Sequence, residues 1–168
     1  MNDVYLPLEI KVRYWDPNMP KLQINPKGDW IDLRVVDIVN RPRSLTKNNI
    51  GEEGWFLGTG EFLILDLGVS IELPEGFEAI VVPRSSTFKR WGFIQTNHCG
   101  VIDNSYKGDN DKWLMPILCF RSTFLPKYAR VCQFRIQKTM KSQWDIKLVE
   151  VESLNNPDRN GFGSTGVK

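Results

Sequence analysis

The feature that most constrains the fold of this chain is its series of short stretches with the pattern of β-strands. These stretches either alternate apolar and polar residues or are rich in β-branched and aromatic side chains, and turn-forming residues separate them. They are residues 8–14, 30–36, 61–73, 77–82, 93–95, 113–120, 129–137 and 145–151. Helical periodicity appears only in short pieces. The sequence therefore predicts an all-β domain, built as a sandwich, jelly roll or barrel.

Details within these stretches predict how the strands are arranged. Pro74-Glu75-Gly76 is a turn, so residues 61–73 and 77–82 are expected to form an antiparallel hairpin. Pro116 lacks a backbone N–H, which predicts an edge strand or a bulge at residues 113–120. Residues 37–60 are polar and irregular and predict a loop.

One of these stretches, residues 129–137, has a clear two-residue alternation. Arg130, Cys132, Phe134 and Ile136 fall on one face of the predicted strand, and Gln133 falls on the other.

Composition narrows the classes of function. The chain has 168 residues, which fits one domain, and its net charge of +2 argues against binding to polymeric nucleic acid. A small anionic ligand needs only a few convergent cations and remains open. Three widely spaced cysteines and a single His98 argue against a disulfide framework or a zinc site and favour a reducing, cytoplasmic setting. Neither a signal peptide nor a membrane span is expected.

Residues 97–109 are the stretch with the most chemistry. They read Asn-His-Cys-Gly-Val-Ile-Asp-Asn-Ser-Tyr-Lys-Gly-Asp. This order indicates a hairpin that offers backbone groups to a planar ligand, followed by the Asp103 carboxylate and the Tyr106 ring. An ordinary surface hairpin with a turn aspartate is the alternative on these residues alone.

Three other segments carry candidate ligand-binding groups. Residues 83–87 read Pro-Arg-Ser-Ser-Thr, and a guanidinium followed by hydroxyls suits an oligophosphate, although a solvated serine-rich turn is equally ordinary. Asp32 interrupts an apolar strand, where a carboxylate most often faces solvent. Residues 155–168 are polar and glycine-rich and form either a disordered tail or a mobile lid.

Taken together, five segments resemble the five motifs of the trimeric dUTP pyrophosphatases (dUTPases), in the family's order and across nearly the whole chain. The variant is similar to those of Gram-positive bacteria and their phages. The segments are residues 31–34 (Ile-Asp-Leu-Arg), 83–86 (Pro-Arg-Ser-Ser), 100–108 (Gly-Val-Ile-Asp-Asn-Ser-Tyr-Lys-Gly), 129–133 (Ala-Arg-Val-Cys-Gln) and 159–166 (Arg-Asn-Gly-Phe-Gly-Ser-Thr-Gly).

The resemblance implies hydrolysis of dUTP to dUMP and pyrophosphate, which keeps uracil out of DNA and supplies dUMP for dTTP synthesis. Asp103 would be the general base that activates water for attack on the α-phosphorus. Tyr106 would pack against the deoxyribose and exclude a 2′-hydroxyl. Asn97 and the backbone of Gly100 and Ile102 would read the uracil edge.

The resemblance also implies where the phosphates and the metal bind. Arg84, Gln133, Ser85 and Ser86 would contact the phosphates, with Arg84 and Gln133 part of the catalytic machinery. Magnesium would bridge the triphosphate oxygens, and Asp32 would reach it through water.

The implied architecture is a distorted jelly roll, the dUTPase-like β-clip, with a flexible C-terminal arm. Residues 1–152 would form the β-domain, and residues 153–168 would close over the active site of a neighbouring subunit in a homotrimer. The arm residues expected to contact substrate are Arg159, Phe162, Ser164 and Thr165.

Two other functions stay open. A dCTP deaminase has the same fold, but its reaction needs a carboxylate on the strand after the third motif, and residues 113–118 contain none. A nucleotide-gated interaction protein on the same fold, with a regulatory protein partner, is the other alternative. Residues 37–60, which have no clear counterpart in the family, would suit such a role.

Overall fold

A computed structural model describes residues 7–40 and 44–158, and it is almost entirely β-structure, as the sequence predicts. The strands are β1 (Lys11–Tyr14), β2 (Ile31–Arg34), β3 (Asp37–Ile38), β4 (Thr46–Lys47), β5 (Glu53–Leu57), β6 (Phe62–Asp66), β7 (Val69–Glu72), β8 (Phe77–Pro83), β9 (Phe93–Gln95), β10 (Gly100–Ile102), β11 (Leu114–Cys119), β12 (Thr123–Pro126) and β13 (Arg130–Lys138). Two short helices, α1 (Thr87–Trp91) and α2 (Met140–Gln143), complete the described elements.

Two four-stranded antiparallel sheets make up most of the domain, one in the order β10-β8-β13-β2 and the other β3-β6-β11-β9. A three-stranded sheet, β12-β5-β4, and the pair β1-β7 flank them. The buried residues of all these elements belong to one continuous hydrophobic core, in which Trp113 packs edge-on against Phe134 with ring centroids 5.0 Å apart. Among the described residues, no helix has the length and apolar character needed to cross a membrane.

The hairpin predicted for residues 61–73 and 77–82 is wrong. Residues 61–73 form two strands, β6 and β7, which separate at Gly68, where φ is +71°. That backbone conformation favours glycine, and it lets β7 leave the sheet of β6 and pair with β1. β8 pairs instead with β10 and β13. The turn at residues 74–76 therefore connects two sheets.

Pro116 does not mark an edge strand, because β11 lies between β6 and β9. The carbonyl of Pro116 accepts a hydrogen bond from the N–H of Thr96, just beyond the end of β9. In an antiparallel ladder, a residue's N–H and C=O point to the same neighbour. The missing donor of Pro116 therefore faces the end of the β9 ladder, where the loss of one hydrogen bond is tolerated.

Residues 37–60 are more ordered than their polar sequence indicates. They contribute β3, β4 and β5 to two sheets, and Trp55 and Leu57 of β5 are buried in the core. The sequence signal is weak because these strands are short and polar residues surround them.

The strand predicted at residues 145–151 is also wrong, because this segment pairs with no sheet among the described residues. Its apolar side chains lie in solvent in the single chain, and Leu148 and Val149 are 97% and 77% exposed.

Gly54 on β5 tests the close contact between β5 and β12, which are neighbouring strands of the flanking sheet. A Cβ at this position would lie 2.2 Å from the carbonyl oxygen of Leu125 on β12, which is backbone and cannot swing away. We expect Gly54→Ala to lower the free energy of unfolding by about 1–3 kcal/mol in denaturant titration. Gly28→Ala is the control, since its Cβ would make only an ordinary 3.7 Å contact. Equal stability of the two variants would contradict this packing.

Candidate active site

A polar cleft of about 510 Å³ opens at the edge of the β10-β8-β13-β2 sheet. Three of the predicted site residues and one neighbour of theirs line it. Asp32 and Arg34 come from β2, Gln133 from β13, and Arg84 from the residue after β8. The loop before β2 forms the opposite wall. The wall residues are Lys21, Gln23, Ile24, Asn25, Pro26, Gly28 and Trp30.

The sheet register explains why distant segments of sequence meet here. Gln133 is directly opposite Asp32 on one side and Val82 on the other, so all three residues face the same way. Arg84 follows Val82 by two positions and shares that face. The grouping of Asp32, Arg84 and Gln133, expected from the resemblance, is therefore present in a single chain.

Asp32 does not simply face solvent, which was the alternative for a strand carboxylate. Its Oδ1 forms an ion pair with Nε of Arg84 at 2.8 Å, and its Oδ2 accepts a hydrogen bond from Nη1 of Arg130 at 3.1 Å. The Asp32 side chain is 30% exposed and that of Arg84 is 25% exposed. Two guanidinium groups therefore flank one carboxylate at the floor of the cleft.

Arg130 reaches this face because β13 has a β-bulge. Arg130 is opposite Arg34 and Cys132 is opposite Leu33, so Val131 is an extra residue on β13. The bulge reverses the alternation of side chains at that point. The sequence prediction that Arg130 and Gln133 lie on opposite faces is thus wrong.

Thr87 connects the bulge to the segment that carries Arg84. Its side chain is fully buried, and its Oγ1 donates to the carbonyl of Val131 at 2.7 Å and accepts from the N–H of Arg84 at 3.1 Å. Only two of the three consecutive hydroxyls therefore remain for a ligand. Ser85 is exposed, Ser86 is half-buried, and neither side chain has a hydrogen-bond partner within the described part of the chain.

The charge of the cleft is positive. Lys21, Arg34, Arg84 and Arg130 line it, and Asp32 is the acidic residue among its described lining. Burial, followed by the repulsion of Arg130, lowers the pKa of Arg34, although an arginine remains charged at neutral pH. Several guanidinium groups in one cleft suit a ligand with several phosphates.

The hairpin predicted within residues 97–109 is wrong, because β9 pairs with β11 and β10 pairs with β8, so the turn at residues 96–99 connects two sheets. Gln95 is buried, and its amide donates to Oδ1 of Asn97 at 2.9 Å and to the carbonyl of Val81 at 3.3 Å, which fixes Asn97 on this turn. His98 has φ of +62°, a conformation that closes the tight turn. Gly100 lies against Val81 so closely that a Cβ would be 3.2 Å from the valine side chain.

Asp103 lies directly after β10 and is exposed. Its Oδ1 accepts hydrogen bonds from the Ser105 hydroxyl at 2.5 Å and the Ser105 N–H at 2.8 Å. These bonds, that of the hydroxyl first, hold the pKa of the Asp103 carboxyl below its usual value. Asp103 is therefore a carboxylate at neutral pH, with Oδ2 unengaged by any described residue.

The loop that holds Asp103 is anchored from both sides. The Asn104 amide donates to the carbonyls of Leu73, Pro74 and Phe77, and the Tyr106 hydroxyl donates to the carbonyl of Lys112 at 2.9 Å. Burial raises the pKa of Tyr106, so the phenol stays protonated. Its ring is 39% exposed beside Asp103, which leaves one face for a ligand.

A single chain does not bring Asp103 and Arg84 together. Ile102 pairs with Ala79, so Asp103 falls opposite residue 78, six residues of extended strand or roughly 20 Å from Arg84. Asp32 lies on β2, at the opposite edge of the sheet from β10. The structure thus places the candidate residues in two groups, named here by their predicted ligands: the phosphate half-site (Asp32, Arg84, Arg130, Gln133) and the nucleoside half-site (Asn97, Gly100, Ile102, Asp103, Tyr106).

A magnesium ion would bind to this site mainly through the phosphate groups of a ligand. No cluster of three acidic, histidine or cysteine residues occurs within the described ranges, so they offer no protein cage for a metal. Each oxygen of Asp32 already forms an ion pair with an arginine. Phosphate oxygens and water would supply most ligands, as magnesium prefers.

Some functional residues were missed by the sequence interpretation, and others fall outside the described structure. Arg34, Arg130 and Lys21 were not predicted as ligand-binding residues, because only the bulge and the packing of the 21–30 loop bring them to the cleft. The arm residues predicted to contact substrate lie outside the described residues. They are Arg159, Phe162, Ser164 and Thr165.

Sequence comparisons place the chain among nucleotide enzymes. A family model described as dCTP deaminase-like matches residues 22–139. The chain is 47% identical over 161 residues to the SPbeta prophage-derived deoxyuridine 5′-triphosphate nucleotidohydrolase of Bacillus subtilis, covering 96% of this chain and 100% of that protein. It is 30% identical over 163 residues to the corresponding enzyme of Streptomyces avermitilis, covering 95% and 82%.

Comparisons with solved structures support the fold. A variant of the Staphylococcus bacteriophage 80alpha dUTPase with dUpNHpp superposes with a TM-score of 0.68 at 17% identity, covering 95% of this chain and 99% of that one. A variant of the dUTPase from phage phi11 of S. aureus, described with a structural Mg(II) ion, gives a TM-score of 0.64 at 15% identity, covering 87% and 98%. These likenesses show that the chain has the jelly-roll fold of these proteins, as expected.

The two hydrogen bonds from Ser105 give a prediction about Asp103. Ser105→Ala removes the hydroxyl donor and keeps the backbone donor, so the pKa of Asp103 should rise toward its usual value. A carboxyl ¹³C NMR titration would measure the shift, and Ser153→Ala, in an exposed segment of the chain, is the control. An unchanged Asp103 titration would show that the Ser105 hydroxyl does not stabilise the carboxylate.

Proposed function

The chain belongs to the family of deoxyuridine 5′-triphosphate nucleotidohydrolases, and on this basis we propose that it hydrolyses dUTP to dUMP and pyrophosphate. The observation that carries the proposal is the pair of half-sites, each matched to one part of the substrate. The phosphate half-site offers several cations to a triphosphate, and the nucleoside half-site offers backbone groups, a carboxylate and an aromatic ring to a nucleoside.

Asp103 is the residue suited to activate water. It is ionised and exposed at the end of β10, and it would accept a proton as water attacks the α-phosphorus. The new bond joins the water oxygen to the α-phosphorus, and the bond to the oxygen bridging the α- and β-phosphates breaks. Pyrophosphate leaves with that oxygen. Because its pKa is lowered, Asp103 contributes mainly by orienting water, and the cations stabilise the charge.

The nucleoside half-site would account for selection of the nucleoside. The base would lie against the backbone of Gly100 and Ile102, with Asn97 held in place by Gln95. The Tyr106 ring, fixed by its hydroxyl, would cover the deoxyribose and leave no room for a 2′-hydroxyl. A close fit at C5 of the base would exclude thymine.

Arg84, Ser85, Ser86 and Gln133 would bind the phosphates. Magnesium would be held by the triphosphate oxygens and water, and it would neutralise phosphate charge in the reaction. The arm residues Arg159, Phe162, Ser164 and Thr165 would complete the enclosure of the substrate. Residues 1–152 would then be the β-domain and residues 153–168 the arm.

A homotrimer would join the two half-sites across subunit interfaces. The separation of Asp103 from Arg84 requires a second copy to supply one of them, and closed symmetry would repeat the site at each interface.

Two exposed apolar surfaces support assembly. On the outer face of the β3-β6-β11-β9 sheet, Leu118 lies between Phe62 and Ile94, which are 44% and 41% exposed. The C-terminal segment adds Trp144, Leu148 and Val149, which contact solvent in the single chain. Apolar patches of this kind mark interfaces in proteins. Cys99, Cys119 and Cys132 form no disulfide within the described residues, which favours a reducing compartment such as the cytoplasm.

The direct test of the proposed function is a comparison of four nucleotides. Pyrophosphate release from dUTP, UTP, dCTP and dTTP would be measured with and without magnesium, and ammonia release would be followed with dCTP. We expect release from dUTP alone, stimulated by magnesium. Ammonia from dCTP would establish a deaminase instead. Binding of dUTP without any turnover would support the nucleotide-gated interaction protein, with its regulatory protein partner.

Mixing two inactive variants tests the shared sites. Asp103→Asn removes the carboxylate of one half-site and Arg84→Ala removes a cation of the other, so each variant alone should have almost no activity. After unfolding and refolding together in equal amounts, about a quarter of the sites in a closed ring would combine an intact Asp103 and an intact Arg84 from neighbouring copies. Activity should return to roughly that fraction of wild type. Mixed samples as inactive as the parents would show that each site lies within one chain.

A further inference from the structure

Arg130 and Asp32 have a role that the sequence motifs do not assign. We propose that Arg84 and Arg130 form a two-guanidinium clamp for the end of the triphosphate, and that Asp32 is the anionic residue that positions both. The inference rests on the proposed function for the identity of the substrate. It assigns Arg130 as a phosphate-binding residue and Asp32 as a positioning residue, where the resemblance implied a water-mediated magnesium ligand.

The first support is the geometry of the ion pairs. Arg84 uses Nε and Arg130 uses Nη1 to contact different oxygens of one carboxylate, at 2.8 and 3.1 Å. Each guanidinium has five N–H donors, so each keeps donors that can turn to a phosphate. Without Asp32 the two cations would repel each other at this distance. The carboxylate therefore allows two like charges to remain side by side before the substrate arrives.

The second support is that the backbone is built to hold this arrangement. Val131 is the extra residue of the bulge, and the bulge is what places Arg130 on the face of Asp32 and Gln133. The Val131 carbonyl accepts the buried Thr87 hydroxyl, which also accepts from the Arg84 N–H. The positions of the two arginines are thus linked through one buried side chain, independently of the ion pairs.

The third support is the position of the clamp in the cleft. Arg34 is directly opposite Arg130 and shares its face, but its Nη1 donates to the carbonyl of Tyr128 at 2.8 Å. Arg130 is more exposed, with half of its side chain in solvent. Of these two cations on the bulged edge, Arg130 is therefore the one with donors facing the cleft.

Binding of inorganic tripolyphosphate in EDTA tests the clamp without metal or turnover. Calorimetry on the full-length protein should show that Arg130→Ala weakens binding by about 10- to 100-fold, since hydrogen bonds between charged groups are lost. Arg130→Lys should be intermediate, because lysine keeps the charge and loses the fork. Arg90→Ala, which removes an exposed arginine from α1, should bind within about twofold of wild type.

Asp32→Asn separates the positioning role from the metal role. Loss of a negative charge makes the cleft more positive, so metal-free tripolyphosphate should bind at least as tightly as to wild type. Loss of orientation should lower kcat for dUTP by about 10-fold while KM does not rise. The magnesium concentration for half-maximal activity should be unchanged.

The outcomes distinguish this inference from the proposed function. Wild-type tripolyphosphate binding by Arg130→Ala, with the fold intact by circular dichroism, would overturn the clamp even if dUTP is hydrolysed. A higher magnesium requirement in Asp32→Asn, with normal kcat at saturating magnesium, would overturn the positioning role and make Asp32 a metal contact. Binding that depends on Arg130 in a protein that hydrolyses no dUTP would support the clamp and overturn the proposed function.

Discussion

The arrangement of this protein depends on the pairing of strand β8 along both of its edges. β10 pairs with one edge and β13 with the other, and both registers are antiparallel and fixed by buried residues of the core. The chain leaves β8 at Arg84, and Asp103 follows the end of β10 near the start of β8. One strand therefore carries the phosphate half-site at one end and positions the nucleoside half-site at the other. The same pairing keeps the two groups apart in a single chain, because a strand of this length separates them.

Within the phosphate half-site, several cationic side chains lie close together when no ligand is bound, and their charges repel one another. Asp32 offsets part of the repulsion by forming ion pairs with Arg84 and Arg130, and the Tyr128 carbonyl accepts a hydrogen bond from Arg34. The hydroxyl of Thr87 fixes the backbone around the two paired arginines. A polyphosphate entering this cleft meets cations whose side chains are already ordered, which reduces the entropy lost on binding.

The nucleoside half-site is held by a different means, with backbone carbonyls as the main partners. Asn104 donates to three carbonyls around the end of β7 and the start of β8, and Tyr106 donates to that of Lys112. These bonds leave the Asp103 carboxylate and the Tyr106 ring exposed at the surface. The neighbouring residues supply the rigidity of this loop, so the groups proposed to contact substrate bear little of its entropic cost.

The sequence by itself determined the all-β class, most strand positions and the chemistry of the half-sites, because two-residue periodicity and turn residues are local signals. Asp32, Arg84 and Gln133 could be grouped through their motifs, and the sheet register brings them together. Tertiary structure alone decided the partners of the strands: β7 pairs with β1, β11 is an interior strand, and residues 53–57 enter the core. It also decided the face of Arg130, since a bulge changes the alternation by one residue and depends on long-range pairing with β2, which no local pattern encodes.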